Sequence, residues 1–197
     1  LQENFEEKFD FYNLIRLNII KRRIMFPQIP WVERKFNFNN QAEIFPFILE
    51  RFRGTPARLE EITKNLPEEV LTFKPNGKWS IKEHAGHLFD LEELGELRLT
   101  DFLNRKEILS PADITNKKTS EAGYNSRPLK DILSDFRNAR EHLASRLAKL
   151  TKEEISFISI HPRLKQKMNI ADWIYFMAEH DDHHLFTVRL IKDSFHK

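Results

Sequence analysis

Near the C-terminal end, the run His180-Asp181-Asp182-His183-His184 places two imidazoles one helical turn apart. Residues four apart in an α-helix lie above one another on one face, so His180 and His184 can reach a common divalent ion. Apolar residues at matching phase, Trp173, Met177, Val188 and Ile191, turn that face toward a core. Imidazoles buried there need a partner that offsets their desolvation, and a metal ion is such a partner. His183 is expected beside the ion or at the surface. The structural alternative for the pair is two hydrogen-bonded bundle histidines.

Two ligands rarely hold an ion tightly, so a third must come from another element. The chain has no cysteine, which removes disulfides, thiolate ligands and a cysteine nucleophile and leaves His, Asp or Glu as donors. His84 and His87 are the candidates, in Trp79-Ser80-Ile81-Lys82-Glu83-His84-Ala85-Gly86-His87-Leu88. On a helical wheel His84 falls near the middle of the apolar stripe and His87 at its edge, so periodicity slightly favours His84 as the buried one. Both can face the C-terminal helix if that helix is a neighbour. Trp79 reads as an anchor for the start of its helix, His161 as a loop residue and Lys21-Arg22-Arg23 as a solvated cluster.

Four long helices must position these residues. The first spans about 41 to 65, interrupted at Gly54-Thr55-Pro56 and ended by Pro67. The second opens at Ser80, which makes a capping box with Glu83, and carries Ile81, Ala85, Leu88, Leu91, Gly95, Leu99 and Phe102 on one stripe to about residue 105. A polar connection from Lys106 to Ser126 is long enough to line a site. Pro128 starts the third helix, with apolar positions from Leu129 to Leu150. Thr151 and Glu154 form a second capping box for a short turn. Asn169 caps the fourth helix, with Asp172 in its first turn, and that helix runs to about Ser194. With no comparable alternating pattern, the fold class is all-α, an antiparallel four-helix bundle over residues 41–197. Residues 1–40 read as an N-terminal extension or leader around a candidate internal start at Met25; the alternative is an accessory helix at about residues 3 to 23 that packs on the bundle or a partner.

Composition narrows the function. Lys plus Arg number 32 against 30 Asp plus Glu, a net charge of +2, so no overall field argues for nucleic acid or a membrane surface. The 17 Phe can fill a thick helix-packed core, and only 5 Gly fit a helical chain. No apolar run reaches the roughly 20 residues that cross a bilayer. The nearest, Phe11 to Ile20, is broken by Asn13, Arg16 and Asn18. The expectation is a soluble, cytoplasmic protein.

Trp79-Ser80-x-x-Glu83-x-x-x-His87-Leu88-x-Asp90-x-Glu92, followed downstream by His180-x-x-His183-His184, resembles the DinB/YfiT superfamily of bacterial metal-binding four-helix bundles. Gly54-Thr55-Pro56 before Leu59, Lys78-Trp79-Ser80, and His161-Pro162-Arg163-Leu164 agree with it. The resemblance covers about residues 41 to 195. It implies an up-down-down-up bundle, often a homodimer, with a divalent metal, zinc or nickel, between the second and fourth helices. It selects His87 rather than His84, giving a ligand set of His87, His180 and His184 and leaving His84 as packing or support. Relatives include bacillithiol- or mycothiol-dependent transferases and isomerases, and others classed as metal-dependent hydrolases. The leading expectation is therefore a metal-dependent S-transferase with a low-molecular-weight thiol co-substrate and a small electrophile. The alternatives are hydrolysis of a small molecule and a non-catalytic metal-stabilised binding bundle. Asp90, Asp181 or Asp182 could orient an imidazole or act as a base, and spacing does not choose among them. On charge alone, Arg163 or Arg127, with the 106–126 connection, would bind carboxylates of the thiol.

Overall fold

The computed structural model describes residues 28–195. The predicted accessory helix and the Lys21-Arg22-Arg23 cluster lie outside the described residues.

A 3-10 turn, Ala42–Ile44, leads into α1 (Phe45–Arg53), and α2 (Thr55–Thr63) continues it. The break falls where Pro56, lacking an N–H, interrupts the hydrogen-bond ladder. After the short α3 (Glu68–Leu71) comes α4 (Ile81–Leu103), whose Ser80–Glu83 capping box forms as expected. The connection after α4 contains one further turn, α5 (Lys117–Glu121). The third bundle helix, α6 (Leu129–Leu147), takes Pro128 as its N-cap and ends before Leu150, earlier than its apolar pattern implied. Thr151 and Glu154 cap α7 (Lys152–Ile155), and Asn169 with Asp172 makes a full capping box on α8 (Ile170–Asp193). A short antiparallel pair, β1 (Ser159–Ile160) and β2 (Lys167–Met168), closes a turn around His161, and Ile108 bridges to Ile160. Two-residue strands carry too little alternation to be seen in a sequence.

The long helices form a four-helix bundle in which α1–α2 and α4 each pack on both α6 and α8. Cross-helix pairs give the directions. Arg140 with Glu92 and Arg146 with Glu96 advance together, so α6 runs parallel to α4. Asn40 with Asp172, Arg51 with Glu179 and Lys192 with the Ile62 carbonyl make the first helix parallel to α8. Arg53 with Glu141 and Arg137 with Glu60 run in opposite order, so the first helix opposes α6. The topology is up-down-down-up.

The core is split by a polar layer. One apolar cluster holds Phe52, Leu99, Phe102, Leu143 and Trp173, and the other holds Leu59, Ile81, Leu88, Phe136 and Val188. Between them in the order of each helix lie Glu92 of α4, Arg140 of α6 and Asp181 of α8, all at most 4% exposed in their side chains. Arg140 donates to Glu92 Oε1 at 3.0 and 2.7 Å and to Asp181 Oδ2 at 2.6 Å, and Thr55 donates to the same Asp181 oxygen at 2.7 Å. Buried charges survive only when paired in this way. The layer ties three bundle helices and the first to one rotational setting beside the histidines.

Candidate metal centre

His87 from α4 and His180 and His184 from α8 come together with one ring nitrogen each, all within 4.8 Å of one another. His180 Nε2 and His184 Nε2 are 3.1 Å apart. Two bare lone pairs at that distance repel, so the arrangement calls for a shared proton or a cation between them.

The outer hydrogen bonds set the tautomer at His87. Thr119 donates its hydroxyl proton to Asp90 Oδ2 at 2.8 Å, because a carboxylate only accepts. Thr119 Oγ1 is then free to accept from His87 Nδ1 at 3.2 Å, which leaves the lone pair of His87 on Nε2. Tyr124 donates to the other oxygen of Asp90 at 2.7 Å and steadies it. At His184, Nδ1 lies 2.8 Å from His84 Nδ1. When His184 is the donor of that bond, its Nε2 keeps the lone pair. Burial holds the His87 ring at a pKa of about 4 and His84 at about 3. Burial, reinforced by the neighbouring imidazoles, pushes His180 and His184 well below the ordinary histidine value. All four rings are therefore neutral near pH 7, the state in which imidazole ligates. A borderline divalent ion suits such a donor set.

Both candidate histidines of α4 are buried, His84 at 8% and His87 at 5% exposure, so the preference that periodicity gave to His84 as the buried one does not hold. They differ in their contacts: His84 reaches Nδ1 of His184, whereas His87 joins the three-nitrogen cluster. His183 turns away. Its Nδ1 lies 3.0 Å from the side-chain amide of Gln28, which also donates to Thr187.

The cluster borders a cavity of about 560 Å³. Trp79 is more than a helix anchor, since it lines this cavity and packs on His87, His84 and His184 at ring distances of 4.6, 5.6 and 6.1 Å. His161 also departs from expectation: the β1–β2 turn folds it inward to 3% exposure, in the cavity wall against Phe176. The suspected 106–126 connection contributes Pro111, Ala112, Asp113, Ile114 and Asn116 to the lining. Arg163 lines the cavity, whereas Arg127 is paired with Asp135 and does not. Of the three aspartates, Asp90 supports His87 through Thr119, Asp181 is held by Arg140, and Asp182 is held by Arg51 and Arg58. None stands free beside the three nitrogens.

Several cavity residues escaped the sequence reading. Trp31, from the expected extension, sits edge-on to His180 at 4.9 Å and against Phe176 at 5.0 Å. No periodicity in that segment could have announced it. Arg98 had a signal: it lies seven residues after Leu91 on the stripe of α4, where a charge is out of place.

Comparison with known proteins agrees with this fold. The sequence model of the DinB superfamily matches residues 51–188. The chain is 27% identical over 155 residues to the uncharacterised protein YuaE of Bacillus subtilis, covering 70% of this chain and 94% of that protein. Among solved structures it is similar to YfiT from Bacillus subtilis, with a TM-score of 0.71, 18% identity, and coverage of 82% of this chain and 93% of that one. YfiT is described as a probable metal-dependent hydrolase with an unusual four-helix bundle topology.

Proposed function

The chain belongs to the DinB superfamily, and from that premise we propose that it is a metal-dependent enzyme acting on a small molecule held in the cavity beside His87, His180 and His184. The observation that carries this reading is the convergence of three neutral imidazole nitrogens at a cavity wall. A divalent ion there supplies uncompensated positive charge that makes a thiol or a water easier to ionise.

The surrounding residues favour a thiol as the nucleophile. Asp90, Asp181 and Asp182 are each committed to other donors, so none of these three stands ready as a general base. A thiol ionises some seven units below bulk water and needs less help. The chain has no thiol of its own, so the nucleophile is a separate small thiol. In the transfer its sulfur bonds to an electrophilic carbon, the leaving group departs with the bonding electrons, and the thiol proton is released. Trp79, Leu91, Phe176 and Met177 provide an apolar surround that keeps bulk water from competing. A second reading, hydrolysis, is supported by the description of YfiT.

Zinc- or nickel-loaded protein incubated with small electrophiles, with and without bacillithiol-like thiols, tests both. Turnover is expected only with the thiol. Turnover that needs no thiol establishes the hydrolase reading instead.

A further inference from the structure

Beyond the histidine cluster the cavity lining contains two arginines, Arg98 and Arg163, that form no direct ion pair among the described residues. Arg98 is 5% exposed, and its Nε donates to the Ser110 carbonyl at 2.9 Å. Arg163 has its Nη2 buried without a hydrogen-bond acceptor. Among the described residues, no carboxylate pairs with either guanidinium. The acidic candidates are used elsewhere. Asp101 lies close enough for its charge to favour the Arg98 guanidinium, but its oxygens accept from Lys106 at 3.1 Å and from the Ser110 amide at 2.6 Å. Asp113 accepts from the Thr115 and Lys117 amides at 2.8 and 2.9 Å, and Asp181 is held by Arg140.

His161 adds a third donor. Its Nδ1 accepts the backbone N–H groups of Arg163 and Leu164 at 3.2 and 3.1 Å. Amides only donate, so that nitrogen bears the lone pair and the proton of the neutral ring sits on Nε2. That Nε2–H faces Arg98 Nη1 at 3.5 Å, donor against donor. Trp173, also in the lining, has a buried Nε1–H with no acceptor. Buried donors without acceptors are rare in folded proteins and call for an acceptor from outside the chain, an ordered water or a ligand. Two cations and two neutral donors around one cavity call for an anion with several lone pairs.

We propose that Arg98, Arg163 and the Nε2–H of His161 form an oxyanion subsite, and that the small molecule bound in the cavity carries a carboxylate. The subsite rests on the proposed function only for what the other end of that molecule does. With the carboxylate held there, the apolar lining accommodates the middle of the molecule and the reacting group points to the histidines.

The test is calorimetric titration of the full chain, zinc-loaded and chelator-stripped, with hexanoate, neutral hexanamide and the carboxylated thiol mercaptosuccinate. Hexanoate is expected to bind more tightly than hexanamide. Arg163→Gln should weaken carboxylate binding about tenfold, without altering zinc content, unfolding temperature or hexanamide binding. Arg163→Lys, which keeps the charge, should recover part of the loss. Dependence on Arg163 for hexanoate assigns the carboxylate to the electrophilic substrate; dependence for mercaptosuccinate alone assigns it to the thiol. The subsite is overturned if neither carboxylate binds, if Arg163→Gln changes the binding of neither, or if binding vanishes when zinc is removed, which would put the anion on the metal. Protein that holds no zinc yet keeps Arg163-dependent binding would refute the metal reading and leave the subsite standing.

Discussion

The outer nitrogens of His87 and His184 are engaged, by Thr119 and His84, while their inner nitrogens join the cluster. Partners of this kind orient a ligand imidazole, and their loss typically lowers metal affinity 10- to 100-fold. Thr119→Val should therefore weaken zinc binding by about one to two orders of magnitude, read by competition with a chromogenic chelator; unchanged affinity would show that the Asp90–Thr119–His87 link is incidental. Replacing His87, His180 or His184 singly by Ala should abolish metal content and turnover together. If none of the three alters metal content, the ligand assignment is wrong. The buried rings also set an acid limit. The pKa values of His84, His87 and His161 are lowered in the fold to about 3, 4 and 3 from the ordinary value of 6.5. Between those values the unfolded chain binds more protons than the native one, so stability is complete above about pH 6.5 and falls as the pH drops. Each proton taken up on unfolding contributes a slope of about 1.4 kcal/mol per pH unit. Urea midpoints of metal-free protein from pH 8 to 4 should be flat at first and then decline; a midpoint that rises on acidification would contradict the buried neutral rings.

At the scale of elements, the Arg140 layer holds the helices in register with the site. Asp181 sits between the ligand candidate His180 and the rest of α8, and its bonds to Arg140 and Thr55 fix the rotation of that helix. Arg140→Met would leave Glu92 and Asp181 buried without their cation, a change that typically costs about 3–5 kcal/mol. Equilibrium urea unfolding should show a loss of that order, and a loss under about 1 kcal/mol would mean that water or another cation replaces the guanidinium. A second constraint lies where α4 meets the connection. A Cβ on Gly86 would fall 2.2 Å from the Tyr124 ring, so Gly86→Ala must push that ring and its bond to Asp90 aside. Overpacking of this kind costs about 1–3 kcal/mol, and a thermal melt of the variant measures it.

For the whole molecule, four separated parts of the chain meet around the cavity: α4 with its connection, Arg140 of α6, α8 with the turn before it, and the segment carrying Trp31. Gln28, Arg34 and Asn40 hold that segment against His183, Glu179 and Asp172 of α8. A metal bound by α4 and α8 links the folded state to the ion. Zinc at a free concentration 100 times its Kd should stabilise the fold by about 2.7 kcal/mol, seen as a rise in unfolding temperature that chelation reverses and that His180→Ala removes. A wild-type melt insensitive to both zinc and chelator would argue against a site built from both helices. Among the described residues no helix is long and apolar enough to cross a membrane.

The helices were legible because their causes are local. Ser80 with Glu83 and Asn169 with Asp172 cap their own first turns, Pro56 interrupts its own ladder, and the apolar stripe of α8 sets His180 and His184 on one side. The distinction between His84 and His87 was not local. Both are buried on α4, and only the placement of α8 puts one ring against Nδ1 of His184 and the other in the three-nitrogen cluster. The roles of Thr119, Trp31, Arg98 and His161 were likewise decided by contacts between segments from 12 to more than 140 residues apart, such as Arg98 with Ser110 and Trp31 with His180. Periodicity reports which face of a helix is buried, whereas the partner on that face is chosen by how the helices pack.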